Sequence, residues 1–164
     1  MKIRPLLFAV FALAALAAIA VWLSSHFNTP APSYALRPND PATLALGENV
    51  YRQHCVACHG EKLEGQPDWR ERNAQGLLPA PPHDATGHTW HHPDEVLFNL
   101  TKYGVAKAAR LKDYASAMPA YEGVLSDTEI IAVLSWIKST WPPQARAAQE
   151  QVNAAHEKAG AKQR

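Results

Sequence analysis

The chain has two cysteines, and both fall in one pentapeptide, Cys55-Val56-Ala57-Cys58-His59. A C-x-x-C-H of this kind is the attachment pattern for a c-type haem. The spacing has a geometric reason. Two thiols three positions apart at a helix end reach the vinyl groups along one edge of a porphyrin and form thioethers. The adjacent His59 then lies under the iron as an axial ligand. Three other uses of the pair are weaker. A thioredoxin-like redox pair wants a βαβ setting, and no strand-like alternation of useful length appears. A zinc site lacks a second ligand pair at finger spacing. A disulfide across two residues would leave a small domain without a core.

With only two cysteines among 164 residues, a disulfide-dense scaffold and a four-cysteine zinc or iron–sulfur site are excluded. The net charge of +1 supplies no electrostatic reason to expect nucleic acid. At 47% hydrophobic and 19% charged, the chain has enough apolar residues for one packed domain with extensions.

Lys2 and Arg4 precede an uncharged stretch at 5–25, whose apolar part spans roughly 28 Å as a helix, close to the hydrocarbon thickness of a bilayer. Positive charge lies before it and none follows until Arg37, so the positive-inside bias puts the N-terminus in the cytoplasm and the rest outside. Residues 1–26 are therefore expected to be a transmembrane anchor. The alternative is a signal peptide cleaved at a small-x-small site such as Ala18-Ile19-Ala20. That cut would leave Val-Trp-Leu at the new end, which favours the uncleaved anchor. Either route leads to an oxidising compartment. Residues 27–40, with three prolines, read as a stiff linker off the membrane.

Asp40-Pro41 marks a helix start, and Leu44, Gly47, Tyr51 and His54 follow at helical spacing, predicting a helix over 41–54. Residues 60–89 are rich in Gly, Pro, Asn and Asp and read as loop. His92-Pro93-Asp94-Glu95 opens a second helix, with Val96, Leu97 and Leu100 inward and an end near Gly104. Residues 105–121 read as loop with one helical turn at 106–111. Leu125-Ser126-Asp127-Thr128-Glu129-Ile130 combines a capping box with a hydrophobic staple. Ile130, Val133, Leu134, Ile137 and Trp141 form the apolar face behind it, and Pro142-Pro143 stop the helix. Residues 142–164 are Ala-rich, charged and mostly polar; they can be helical, but with no apolar face a loosely attached or disordered tail is expected. The domain is thus a small all-α unit over 41–141. So few helices bury little by themselves, which calls for a large group at the centre.

The sixth iron position has one outstanding candidate. Beyond Met1 the chain has one methionine, Met118, in the short loop Ser116-Ala117-Met118-Pro119-Ala120-Tyr121. A lone methionine is more often core filler, but a Met-Pro loop can hold a thioether sulfur against the distal haem face. The competing ligands are His54, His83, His88, His91, His92 and His156, or an open site.

These residues resemble a class I cytochrome c of the bacterial membrane-anchored or periplasmic group, over about 41–141. The resemblance implies a small all-α cytochrome c fold with long loops, whose N- and C-terminal helices cross around one covalent haem c. It matches Gly47 with Trp136, Tyr51 nearby, to that crossing. It implies that a proline carbonyl holds the second nitrogen of the axial histidine. Pro81 and Pro82, within Pro79-Ala80-Pro81-Pro82, are the candidates. It also implies electron transfer in a respiratory chain rather than chemistry on a substrate. Expected partners are a quinol-oxidising complex and a terminal oxidase or reductase, met on the periplasmic side of a bacterial inner membrane, with soluble periplasmic placement as the alternative. A haem-based ligand sensor and a fixed haem subunit of a larger oxidoreductase are the rival functions.

Gly87-His88-Thr89-Trp90-His91-His92 is denser in histidine than that family pattern. Its first reading is a loop at the haem edge, with the Trp90 indole or a histidine on a propionate. Its others are plain surface histidines or a second metal, such as copper, on His88, His91 and His92. Trp69 and Arg70 form a further candidate propionate pair. Lys102, Lys107, Arg110 and Lys112 approach Met118 with only Asp113 among them, and suit an acidic partner.

Overall fold

The computed structural model describes residues 15–17, 19 and 34–162. The chain divides into two units, 1–33 and 34–164. In the first, the described residues are helical. The expected anchor over 1–26 otherwise lies outside the described residues. Among those described, no helix is long and apolar enough to cross a membrane.

The second unit is all-helical among its described residues. Helix α1 spans Pro41–His54 and α2 spans Val56–His59. A 3-10 turn covers Thr89–His91, followed by α3 (Asp94–Tyr103), α4 (Val105–Ala108), α5 (Asp127–Ser139) and α6 (Pro143–Lys162). Asp40 occupies the N-cap of α1 in extended conformation with Pro41 behind it. Its carboxylate accepts from the Thr43 hydroxyl rather than from the backbone. The buried face of α1 is Gly47, Val50 and Tyr51, whereas His54 is exposed. In α3 the start is shifted by one residue, with Pro93 at the N-cap. Its inner face is Leu97, Phe98 and Thr101, while Val96 and Leu100 are half-buried. The α5 capping box forms in full. Ser126 Oγ accepts from the Glu129 N–H at 3.3 Å, and the Ser126 N–H donates to Glu129 Oε2 at 2.8 Å.

Helices α1 and α5 meet where Gly47 removes a side chain. A Cβ built there would collide with the Ala132 carbonyl and sit 2.8 Å from Trp136 Cβ. The Tyr51 and Trp136 rings lie next to this point, centroids 4.7 Å apart. Because the obstacle is backbone, no rotamer change relieves it. Gly47→Ala is expected to cost about 1–3 kcal/mol from overpacking, outweighing the roughly 1 kcal/mol that alanine adds in helix propensity. Urea denaturation measures this, and an unchanged or raised midpoint would refute the close approach.

The expectation of a loose polar tail is corrected. Residues 143–162 form a helix docked on the domain. Pro142-Pro143 do separate two helices, with Pro143 opening the second at a position where proline has no N–H to lose. The docking face is Ala145, Gln149, Val152 and His156, at helical spacing but half polar. Gln149 is fully buried, and its Nε2 donates to Asp94 Oδ1 at 2.5 Å and to the His92 carbonyl at 3.3 Å. Asn153 Oδ1 accepts the Asp94 N–H at 2.8 Å, satisfying an orphan donor at the start of α3. Lys138, 2% exposed, reaches Glu150 at 2.5 Å and Asp94 at 3.7 Å. His156 meets Glu95 at 3.0 Å. The attachment is made of directional polar bonds, which apolar periodicity does not register.

The end of the expected linker belongs to the same assembly. The Leu36 N–H donates to Asp94 Oδ2 at 3.0 Å and the Arg37 N–H to Ser135 Oγ at 2.8 Å. Tyr34 and Leu36 pack on the core. With α1, α3 and this segment around it, α5 is buried on nearly every side, beyond the single face its spacing suggests.

Candidate haem site

The C-terminal end of α1 runs into the Cys55–His59 motif almost without a break. The Cys55 N–H bonds the Tyr51 carbonyl at 2.9 Å, and the His59 N–H bonds the Cys55 carbonyl at 2.9 Å. Gly60, at φ 80°, then turns the chain out of the helix in a conformation that disfavours other residues. Two tyrosines hold the motif from either side. The Tyr51 hydroxyl donates to the Gly60 carbonyl at 2.8 Å, and the Tyr121 hydroxyl donates to the His54 carbonyl at 2.7 Å. Both cysteines are free thiols, Cys55 half-buried and Cys58 exposed. Burial, followed by the neighbouring Cys58, pushes the Cys55 thiol up to about 11, so it stays protonated at neutral pH.

His59 is buried. Its Nδ1 lies 2.9 Å from the Pro81 carbonyl, so of the two candidate prolines it is Pro81 whose oxygen meets the ring. The Pro82 carbonyl instead faces the Thr89 hydroxyl, at 3.4 Å. Burial lowers the imidazole pKa of His59 against the opposing effect of the Pro81 bond. A neutral ring with Nδ1–H committed to a carbonyl keeps its lone pair on Nε2.

Met118 is half-buried against the core. Its N–H donates to Ser116 Oγ at 3.1 Å. The loop that carries it is tied down just beyond. The Tyr121 N–H donates to the Thr101 carbonyl at 3.2 Å, while its hydroxyl reaches the residue before Cys55. The methionine loop and the cysteine motif therefore converge through Tyr121, a link that spacing did not reveal.

The rival histidine ligands each have other neighbours. His54 lies edge-on to Tyr121, centroids 6.0 Å apart. His156 pairs with Glu95. His88 stacks on Trp69 at 5.2 Å and meets His92 at 5.4 Å. His91 stacks on Trp90 at 3.7 Å. His83 stacks on His59 itself at 3.9 Å. Burial lowers His83 well below the usual imidazole value. It also lowers His88 and His92, with nearby imidazoles adding to the effect.

Several peripheral residues have contacts of their own. Among the described residues no group of three or more His, Cys, Asp or Glu is placed to hold a metal ion, so the second metal site on His88, His91 and His92 is not formed. His91 has turned onto Trp90 instead. The Trp90 indole N–H points to the Ala85 carbonyl at 3.4 Å, and its ring is half-buried against the core. Arg70 lies over the Trp69 ring at 3.9 Å. The basic approach to Met118 is partly neutralised: Lys102 pairs with Asp127 at 2.6 Å and Lys107 with Glu122 at 3.0 Å. Both carboxylates come from beyond the methionine loop, where the local sequence around the lysines did not show them.

Two residues not assigned to the site from the sequence, Trp141 and Thr89, contact His83 beside His59. Trp141, 2% exposed, lies past the end of α5 rather than on its face. Its indole N–H donates to the His83 carbonyl at 2.7 Å. Thr89 Oγ1 lies 2.9 Å from His83 Nδ1. Both contacts span loops, and no local pattern announces them.

The donor set is chemically that of a covalent haem: two free thiols, a neutral buried imidazole with one nitrogen already bonded, and a thioether on a loop tied to the same motif. Comparison with curated proteins and with solved structures returned no match. The family model described as cytochrome C oxidase, cbb3-type, subunit III matches residues 42–137, more than half of the chain. The matched span holds the cysteine motif, Pro81, Met118 and most of helices α1 and α5, and the chain therefore belongs to this family of haem-based electron-transfer proteins.

Proposed function

We propose that the chain carries one haem c, with Cys55 and Cys58 as its thioether sites and His59 and Met118 as its axial ligands. In this reading it is an electron carrier on the periplasmic side of a bacterial inner membrane, tethered through residues 1–26. The observation that carries the proposal is the 2.9 Å bond from His59 Nδ1 to the Pro81 carbonyl beside two unpaired thiols. A single haem follows from both cysteines lying in one motif.

When bound, haem c supplies a reversible one-electron iron couple. The residues do the rest. Pro81 fixes the tautomer of His59 and raises its basicity. Burial keeps His59 neutral and ready to donate from Nε2. A methionine opposite a histidine favours a higher potential than two histidines, and suits delivery toward a terminal acceptor. Trp90 and Pro82 serve as walls of the pocket. Donor and acceptor are a quinol-oxidising complex and a terminal oxidase or reductase. The family match favours a second reading, a haem subunit fixed within an oxidase complex. Recovery of the chain in stoichiometric association with an oxidase would support that reading over a diffusing carrier.

The test is a reduced visible spectrum of the haem-loaded protein with and without carbon monoxide. A covalent haem whose spectrum the gas leaves unchanged is expected. A rapid, complete shift would mean an open distal position and a ligand-binding role. Absence of covalent haem would overturn the proposal.

A further inference from the structure

We infer that His83 is a positioning residue for the His59 imidazole, its ring lying flat against it and setting the plane in which it is held. The inference rests on His59 being an axial ligand. The two rings are 3.9 Å apart at their centroids and within 20° of parallel.

The Pro81 bond alone leaves the His59 ring plane loosely defined. The terminal torsion of a histidine is broad, and a carbonyl oxygen accepts over a wide range of directions. A flat surface packed on one face removes that freedom. His83 suits this task because it is itself immobilised at three points. Its N–H donates to the Leu63 carbonyl at 2.8 Å, its carbonyl accepts from Trp141 Nε1 at 2.7 Å, and its Nδ1 lies 2.9 Å from Thr89 Oγ1. Thr89 in turn donates to the Pro82 carbonyl at 3.4 Å, so its hydroxyl oxygen accepts from His83 Nδ1–H. The chain Pro82–Thr89–His83–His59 thus runs next to the direct Pro81–His59 bond. One short proline segment controls both the donor atom and the plane of the same ring.

The test uses the full haem-loaded chain and three variants, His83→Phe, His83→Leu and Thr89→Val. Ring orientation is read from the g values of the ferric electron paramagnetic resonance spectrum, which a purely structural role would not move. All variants are expected to keep covalent haem and insensitivity to carbon monoxide. His83→Phe keeps a flat partner and should stay near the wild-type g values. His83→Leu should displace or broaden them, and Thr89→Val should do so to a smaller extent. Losing a polar neighbour should also shift the ferric-to-ferrous ratio at fixed poise about threefold toward ferrous, ~28 mV at 59 mV per decade.

Wild-type g values in His83→Leu, or equal displacement in His83→Phe and His83→Leu, would overturn the inference. If His83→Leu does not fold, wild-type g values in Thr89→Val overturn it by themselves. A wild-type protein without a low-spin, covalently held haem would instead overturn the electron-carrier proposal.

Discussion

A Cys55→Ala, Cys58→Ala double variant is expected to lose covalent haem completely. The chain has no other cysteine, so neither thioether can be replaced from elsewhere. The substitutions themselves are mild: Cys58 is exposed and Cys55 half-buried, so lost packing amounts to about 1 kcal/mol or less. The effect therefore reports on attachment rather than on collapse of the fold. The mass of the intact denatured chain measures it directly. Each single variant retains one thiol and should hold haem through one bond in reduced yield. An unchanged haem-bearing mass in the double variant would show that the cysteines are not the attachment points.

The second large effect is expected from Met118→Ala. Removing the thioether opens the sixth position, so the ferrous protein should become sensitive to carbon monoxide. Its midpoint potential should fall on the order of 0.1–0.3 V, within the ~0.8 V range that axial ligands set. The covalent haem should survive, since Cys55, Cys58 and His59 are untouched. The loop should also hold its place, because Tyr121 anchors it through the Thr101 and His54 carbonyls. A potential and gas response like wild type would mean that another group occupies the position. His54 and His88 would then be replaced in turn.

How much of this was readable in advance depends on whether the signal was local. The α5 capping box and the proline start of α1 are patterns of a few adjacent residues, and both elements formed at the expected places. The role of Gly47 against Trp136 was reached through family resemblance, and the close approach is seen directly. The docking of the helix over 143–162 is illegible in the sequence for a physical reason. Its face is spaced like any amphipathic helix, but Gln149 and His156 fill two of the four positions. What makes that face buriable is Asp94, Lys138 and Glu95, which lie elsewhere in the sequence. The support of His59 by His83, Thr89 and Trp141 was illegible on similar grounds. Each link joins loops or helix ends, and each is one hydrogen bond or one ring contact with no periodicity. The partners of Lys102 and Lys107 likewise come from residues 127 and 122, across the methionine loop.

The polar seam under the C-terminal helix has a consequence for uniqueness. A greasy seam tolerates sliding, because one methyl group contacts another about as well a turn further along. Gln149 and Asn153 instead both meet Asp94, and Glu150 meets Lys138, each through a directional bond. Moving the helix by a single turn, about 5.4 Å, would take Glu150 from the buried Lys138 ammonium and the buried Gln149 amide from Asp94, at a cost of about 1–3 kcal/mol for each buried polar group left without its partner. The helix is keyed like a lock, and the direction in which residue 162 leaves the domain is determined by three side chains.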